Sequence, residues 1–218
     1  MFLPDKGEVL VGIDASGLEL RMLAHYMKSD AYVQEVAYGD VHTVNQHAAG
    51  LPTRAQAKTF IYAFLYGAGA EKIGSIVNGT AKEGEALIKK FLSGVPSLNH
   101  LREKIKKIAA KGSVPGLDGR RILIRQQYRA LNTLLQGGGA IVMKKALVIF
   151  YDKLKAEKIP TKFLLNVHDE WQLSIRKELA ETVGKLGVES IKEAGEYYQL
   201  RCPLTGEFKI GNNWAETH

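Results

Sequence analysis

The sequence has a single cysteine, no apolar run at its start, no internal repeat and fewer acidic than basic side chains, and each shortage excludes something. Cys202 alone cannot close an internal disulfide, so stability must come from packing, and a reducing compartment is expected. The opening stretch meets Asp5, Glu8 and Asp14 before any long apolar segment. That argues against a signal peptide or a membrane span there and predicts a cytoplasmic protein with no membrane association. No linker or low-complexity segment interrupts the 218 residues, so one or two packed units are expected. The 23 acidic residues fall short of the 30 basic ones, and the net charge of +7 suits a polyanionic partner such as nucleic acid.

Hydrophobic periodicity outlines the elements. Glu8-Val-Leu-Val-Gly-Ile13 reads as a short buried strand with Asp14 at its end. Ser16 and Glu19 have the spacing of a capping box for a helix running to about Met27, which puts Asp14 in a strand-to-helix turn. From about Ser29 to Gly112 the pattern is helical, broken at glycine and proline positions. A turn at Gly116 to Gly119 leads into a short strand at Arg120 to Arg125, and a long helix is expected over 130–155. Phe163 to Val167 and Glu170 to Ile175 read as a tight hairpin with His168-Asp169 at its tip, the second strand alternating at Trp171, Leu173 and Ile175. A further helix over 178–194 and a closing strand and loop before Trp214 complete the chain.

Asp14 and Asp169 lie far apart in sequence, each at a strand end, and converge if their strands are neighbours in one antiparallel sheet. Two such carboxylates suit a two-Mg²⁺ centre, which activates an attacking hydroxyl and steadies a leaving pyrophosphate. An aspartate at a turn is more often only a turn residue, so the surrounding residues decide. In 53–67, Thr53 and Gln56 make a second capping box, so Arg54 falls in the first helical turn, where free amides and the helix dipole attract phosphate. Arg54, Lys58, Tyr62 and Tyr66 recur every four residues and share one broad face, while Ala57, Phe60, Ile61 and Phe64 occupy another. The bland alternative, an amphipathic helix with a solvated basic edge, is weakened by the two tyrosines that continue the stripe.

These residues carry a resemblance. Asp14-Ala-Ser-Gly-Leu-Glu-Leu-Arg21 resembles the first catalytic motif of family A DNA polymerases, Arg54 to Gly67 resembles their nucleotide-binding helix, and Val167-His168-Asp169-Glu170 resembles their third motif. Ala15 and Gly17 give the first motif a form similar to that of lytic tailed phages, which would place the protein in a bacterial host's cytoplasm. The resemblance implies an α+β right-hand polymerase palm, an antiparallel sheet with packed helices, assembled from two segments of chain, residues 1–28 and residues 129–218. Helical fingers over 29–128 are inserted between the two, and the thumb is absent.

By the same resemblance, Asp14, the backbone of Ala15, and Asp169 hold the two Mg²⁺ ions, with Glu170 close by. Arg54 and Lys58 hold the triphosphate, and Lys58 also protonates the leaving group. Tyr62 lies near the sugar and Tyr66 at the template side. His42 reaches the phosphates, and Glu19 crowds the sugar 2′ position and so favours DNA over RNA synthesis. Arg21, Asn132, Gln136 and His168 face the primer-template, and Arg120, Arg121 and Arg125 are further DNA-contact candidates. Tyrosine at position 62 implies tolerance of dideoxynucleotides. Partners are then primer-template DNA, deoxynucleoside triphosphates and a second chain carrying thumb and exonuclease domains. Only 13 residues precede Asp14, and Phe2-Leu-Pro4 is similar to a family lead-in, so a split or truncated enzyme is expected. The rival reading is a non-catalytic DNA-binding or assembly module. The glycines Gly137 to Gly139 inside a helix point to close approach of backbone or DNA.

Overall fold

A computed structural model describes residues 3–218, so Met1 and Phe2 of the lead-in lie outside the described residues. In chain order the elements are β1 Glu8–Ala15, α1 Leu18–Met27, α2 Asp30–Tyr38, α3 Val41–Ala49, α4 Arg54–Leu65, α5 Ala70–Ser75, α6 Ala81–Gly94 and α7 Pro96–Ala109. Then come β2 Ser113–Pro115, β3 Arg121–Leu123, α8 Ala130–Ala156, β4 Lys162–Val167, β5 Glu170–Arg176, α9 Ala180–Tyr197, β6 Gly206–Gly211 and α10 Trp214–Thr217. The chain divides into two compact units, one of residues 1–21 with 138–218 and the other of residues 22–137.

The first unit is built on a sheet of order β4-β5-β1-β6, antiparallel at each described pairing. Opposed residues in such a sheet share a face. Val9, Val11 and Ile13 face the same side as Ile175, Leu173 and Trp171, and Phe208 joins them from β6. Helices cover that apolar side. Phe150 of α8 stacks on Trp171 with ring centroids 5.5 Å apart. α9 lies so close that a side chain at Gly184 would collide with the Phe208 ring, and one at Gly187 with Ile13. The alternation predicted for β5 is present, but the intervening Glu170, Gln172 and Ser174 are buried as well. The polar side of β5 is closed by α10, where the Thr217 hydroxyl donates to the Gln172 carbonyl oxygen at 2.8 Å, and by the Asp5 amide, which donates to Ser174.

The second unit is helical apart from the small β2-β3 hairpin. Its core is an aromatic cluster: Phe60 and Phe64 of α4 meet Phe91 of α6 edge-on, with centroids 5.1 and 5.5 Å away. β2 has no counterpart in the sequence pattern, because three residues are too few to show a period. Gly137, at the end of this unit, is close to the tip of Ile122, so here the protein's own packing occupies the space the glycine leaves. Gln127–Ala156 is long and apolar enough to cross a membrane by length and composition, but half of its most apolar window is buried inside the protein. That is also the situation of a helix serving as a core.

Candidate active site

Asp14 is not in a turn. β1 continues through Ala15, because Asp14 is paired with Glu170 on one side and Glu207 on the other, and the Ala15 amide donates to the Asp169 carbonyl at 3.1 Å. The Ser16 amide then donates to the Thr205 carbonyl at 3.0 Å, and the chain turns at Gly17 in the left-handed region (φ +60°). Gly17 is therefore the helix cap: its carbonyl accepts from the Arg21 amide. The Ser16–Glu19 capping box does not form, since the helix starts one residue later than the box requires and Glu19 stands at its second position.

The outcome is a concentration of negative charge at one end of the polar face. Asp14, Glu170 and Glu207 line a cleft of about 120 Å³ with Lys209 and His218. Burial pushes the Asp14 carboxyl up to about 6, and Asp169, Glu170 and Glu207 add repulsion. Burial also raises the Asp169 carboxyl, with Glu19 contributing. Glu170 differs: burial alone would raise it, yet it lies below the usual carboxylate range. Gln172 donates to it at 2.5 Å, Trp214 at 2.8 Å, and His218 approaches to 2.5 Å. His168, at the hairpin tip, is exposed and left-handed (φ 52°). Arg21 donates to the carbonyls of Ser16 (2.8 Å) and Pro203 (2.6 Å), bracing the turn after Gly17 against the 203 loop.

Among the described residues, no group of three or more histidine, cysteine or carboxylate side chains is arranged to hold a metal ion. Two half-buried, mutually repelling carboxylates nonetheless fit the way Mg²⁺ binds. It uses one or two protein carboxylates and completes its octahedron with water and substrate phosphate oxygens.

In the second unit, α4 starts where its cap predicts: the Thr53 hydroxyl accepts from the Gln56 amide at 3.2 Å. Ala57, Phe60, Ile61 and Phe64 are buried while Arg54 and Lys58 are exposed, so the two expected faces are present. The helix ends at Leu65, but the Tyr66 amide still donates to the Tyr62 carbonyl at 2.9 Å, which keeps Tyr66 on the stripe. α3 brings His42 to this face, its ring 6.3 Å from that of Tyr62. Burial, then Arg54 and Lys58, lower the His42 pKa, so the ring is neutral at neutral pH. Its Nδ1 is buried without a hydrogen-bond partner. Gln136 donates to the Tyr66 hydroxyl at 3.4 Å, while Asn132, one turn earlier on α8, is half-buried. Arg120 pairs with Asp118, and Arg121 donates to Ser113 within the β2-β3 hairpin.

Sequence reasoning missed Glu207 and Asp40. Glu207 had no local signal. Asp40 had one, an aspartate three residues before a threonine at a helix start: its carboxylate accepts from the His42 and Thr43 amides and pairs with Arg54 Nε at 2.7 Å.

The first unit thus carries a sheet with an acidic end, and the second a helix with a cationic and aromatic stripe. The chain belongs to DNA polymerase family A, which it matches over residues 1–216. It is 38% identical over its whole length to the DNA-directed DNA polymerase of Escherichia phage Phieco32, spanning 41% of that protein. It is 41% identical over 96% of its length to that of Escherichia phage T7, spanning 33%. The chain thus covers about a third to two-fifths of these relatives. Its fold is that of a polymerase palm with fingers: the polymerase domain of Pol1 from M. smegmatis, solved with DNA primer-template and dNTP, superposes with a TM-score of 0.86. That match covers 99% of this chain and 42% of the other, at 23% identity.

Proposed function

We propose that this chain is the catalytic portion of a DNA-templated DNA polymerase, adding deoxynucleotides to a primer 3′-hydroxyl. The observation that carries the reading is the meeting of Asp14 and Asp169, which the pairing of β1 with β5 brings together at the acidic end of one sheet. With the Ala15 carbonyl they would hold two Mg²⁺ ions, which supply Lewis-acid activation of the primer hydroxyl and charge neutralisation at the leaving pyrophosphate. Asp14 and Asp169, raised by burial and repulsion, are poised to gain from a cation. Glu170, held ionised by three donors, keeps the local field negative beside them.

Arg54 and Lys58 would hold the triphosphate, aided by neutral His42, which can donate an N–H to a phosphate oxygen. Lys58 is the proton donor to the leaving group. Tyr62 serves the sugar, Tyr66 the template side and Glu19 the sugar 2′ position. Asn132, Gln136 and His168 serve the primer-template, with Arg21 holding the turn after the first motif. A second polypeptide supplies the remaining grip on DNA, and the cytoplasm of a bacterial host is where such an enzyme works.

The test is single-nucleotide incorporation on a primer-template with Mg²⁺, with and without a complementary N-terminal polymerase fragment. Incorporation that Asp169→Ala abolishes is the expected result. Activity surviving that substitution refutes the metal assignment, and no incorporation under either condition favours a DNA-binding module.

A further inference from the structure

Arg54 is exposed at the first position of α4, on a long side chain with many rotamers, yet it is held in one place. Its Nε donates to Asp40 Oδ2 at 2.7 Å. The same oxygen accepts from the Thr43 hydroxyl at 2.7 Å, while Oδ1 accepts from the amides of His42 and Thr43 at 3.2 and 3.4 Å. The two carboxylate oxygens thus divide the labour: Oδ1 caps α3, and Oδ2 holds the guanidinium. The Asp40 contact engages Nε, which leaves the Nη1 and Nη2 donors of the guanidinium for an oxyanion.

We infer that Asp40 is the positioning residue for Arg54: it fixes the guanidinium through Nε and presents the Nη edge, beside His42, to the triphosphate of an incoming nucleotide. The inference rests on the triphosphate role proposed for α4. A bidentate arginine contact loses affinity when the fork must be ordered at the moment of binding, and pre-ordering removes that cost. Asp40 does this for two ligand-facing groups at once, since its cap also sets the first turn of α3, where His42 stands. Hydrogen bonds from Arg54 and Thr43 hold its carboxyl well below the usual carboxylate range, so the pair persists across the pH range of polymerase work.

Asp40→Asn separates the two jobs. The amide oxygen still caps α3, asparagine being as good a cap as aspartate, but the NH₂ that replaces Oδ2 cannot accept from Arg54. Mg²⁺·dTTP is titrated calorimetrically into the full chain, and the Arg54 Nε–H resonance is followed by nitrogen-15 NMR. Wild type should show a protected Nε–H that Asp40→Asn loses. Asp40→Asn should bind dTTP about fivefold more weakly, the upper scale of an exposed ion pair. Arg54→Ala should weaken binding further, and Asp40→Asn added to Arg54→Ala should change nothing more. Asp40→Asn binding as tightly as wild type, or an additive double variant, overturns the positioning role while leaving the α4 reading intact. An Arg54→Ala chain that binds dTTP like wild type, or a wild type with no saturable binding, overturns that reading and the inference with it.

Discussion

Replacing Asp14 by asparagine should make the metal-free protein more stable while destroying its proposed activity. The folded chain raises the Asp14 carboxyl from 3.8 to about 6, so the native state binds a proton more tightly than the unfolded state between those values. The penalty is therefore absent below about pH 4, grows as pH rises and is complete above about pH 6. Each pH unit between the two values corresponds to about 1.4 kcal/mol. Full conversion would give about 3 kcal/mol, and because Asp14 is only half-buried, screening by water reduces this to about 1–2 kcal/mol. Urea or thermal unfolding of the two proteins in EDTA, at steps from pH 3.5 to 8, reads the Asp14 contribution together with its coupling to Asp169, Glu170 and Glu207, since groups remote from the site titrate equally in both. Asparagine at position 14 should match wild type near pH 3.5 and exceed it at pH 8 by about 1–2 kcal/mol, or roughly 3–6 °C in Tm. Millimolar Mg²⁺ should narrow the gap by stabilising the wild type alone. A gap that does not change with pH, or an asparagine variant less stable at pH 8, would refute the account of charge crowding at this end of the sheet.

Two further expectations follow from named contacts and a third from the role proposed for Tyr62. Thr53→Ala removes the cap that accepts from the Gln56 amide and should cost about 1 kcal/mol in urea unfolding; an unchanged midpoint would contradict the capping role. Gly184→Ala forces a methyl group into the Phe208 ring on the buried side of the sheet. It should destabilise by about 1–3 kcal/mol, and a neutral result would mean that α9 does not pack as closely as described. Tyr62→Phe, assayed by primer extension in the complemented enzyme, should shift incorporation away from dideoxynucleotides; an unchanged dideoxy-to-deoxy ratio would detach Tyr62 from sugar selection.

What was legible in the sequence and what was not divides along the range of the interactions involved. The cap at Thr53 was legible because both partners lie within four residues. The hairpin at His168-Asp169 was legible because two strand-like runs flank it, the second alternating cleanly. The first-turn box at Ser16 fails for an instructive reason: its local pattern is sound, but the Ser16 amide is claimed by Thr205, far along the chain, and the helix must wait for Gly17. Asp40 was readable as a cap, but nothing local says that its second oxygen holds Arg54. Glu207 was invisible, since an isolated glutamate near the end of a chain has no pattern at all.

The face that Asp14 occupies is set by the register of β1, a run apolar on both faces whose sequence alone does not choose a side. Side chains alternate sides along a strand, so a slip of one residue in pairing would carry every residue to the opposite face. Val9, Val11 and Ile13 must lie under α8 and α9, against Ile175, Leu173 and Trp171. Burying those three forces Asp14 to the other face, opposite Glu170 and Glu207. The energy that places the acidic cluster is therefore supplied by the apolar face, and moving the carboxylate off the site would require exposing three core residues of β1. Substitutions at Val11 or Ile13 that weaken this register should accordingly reduce the proposed Mg²⁺-dependent incorporation without touching any residue proposed to hold the metal.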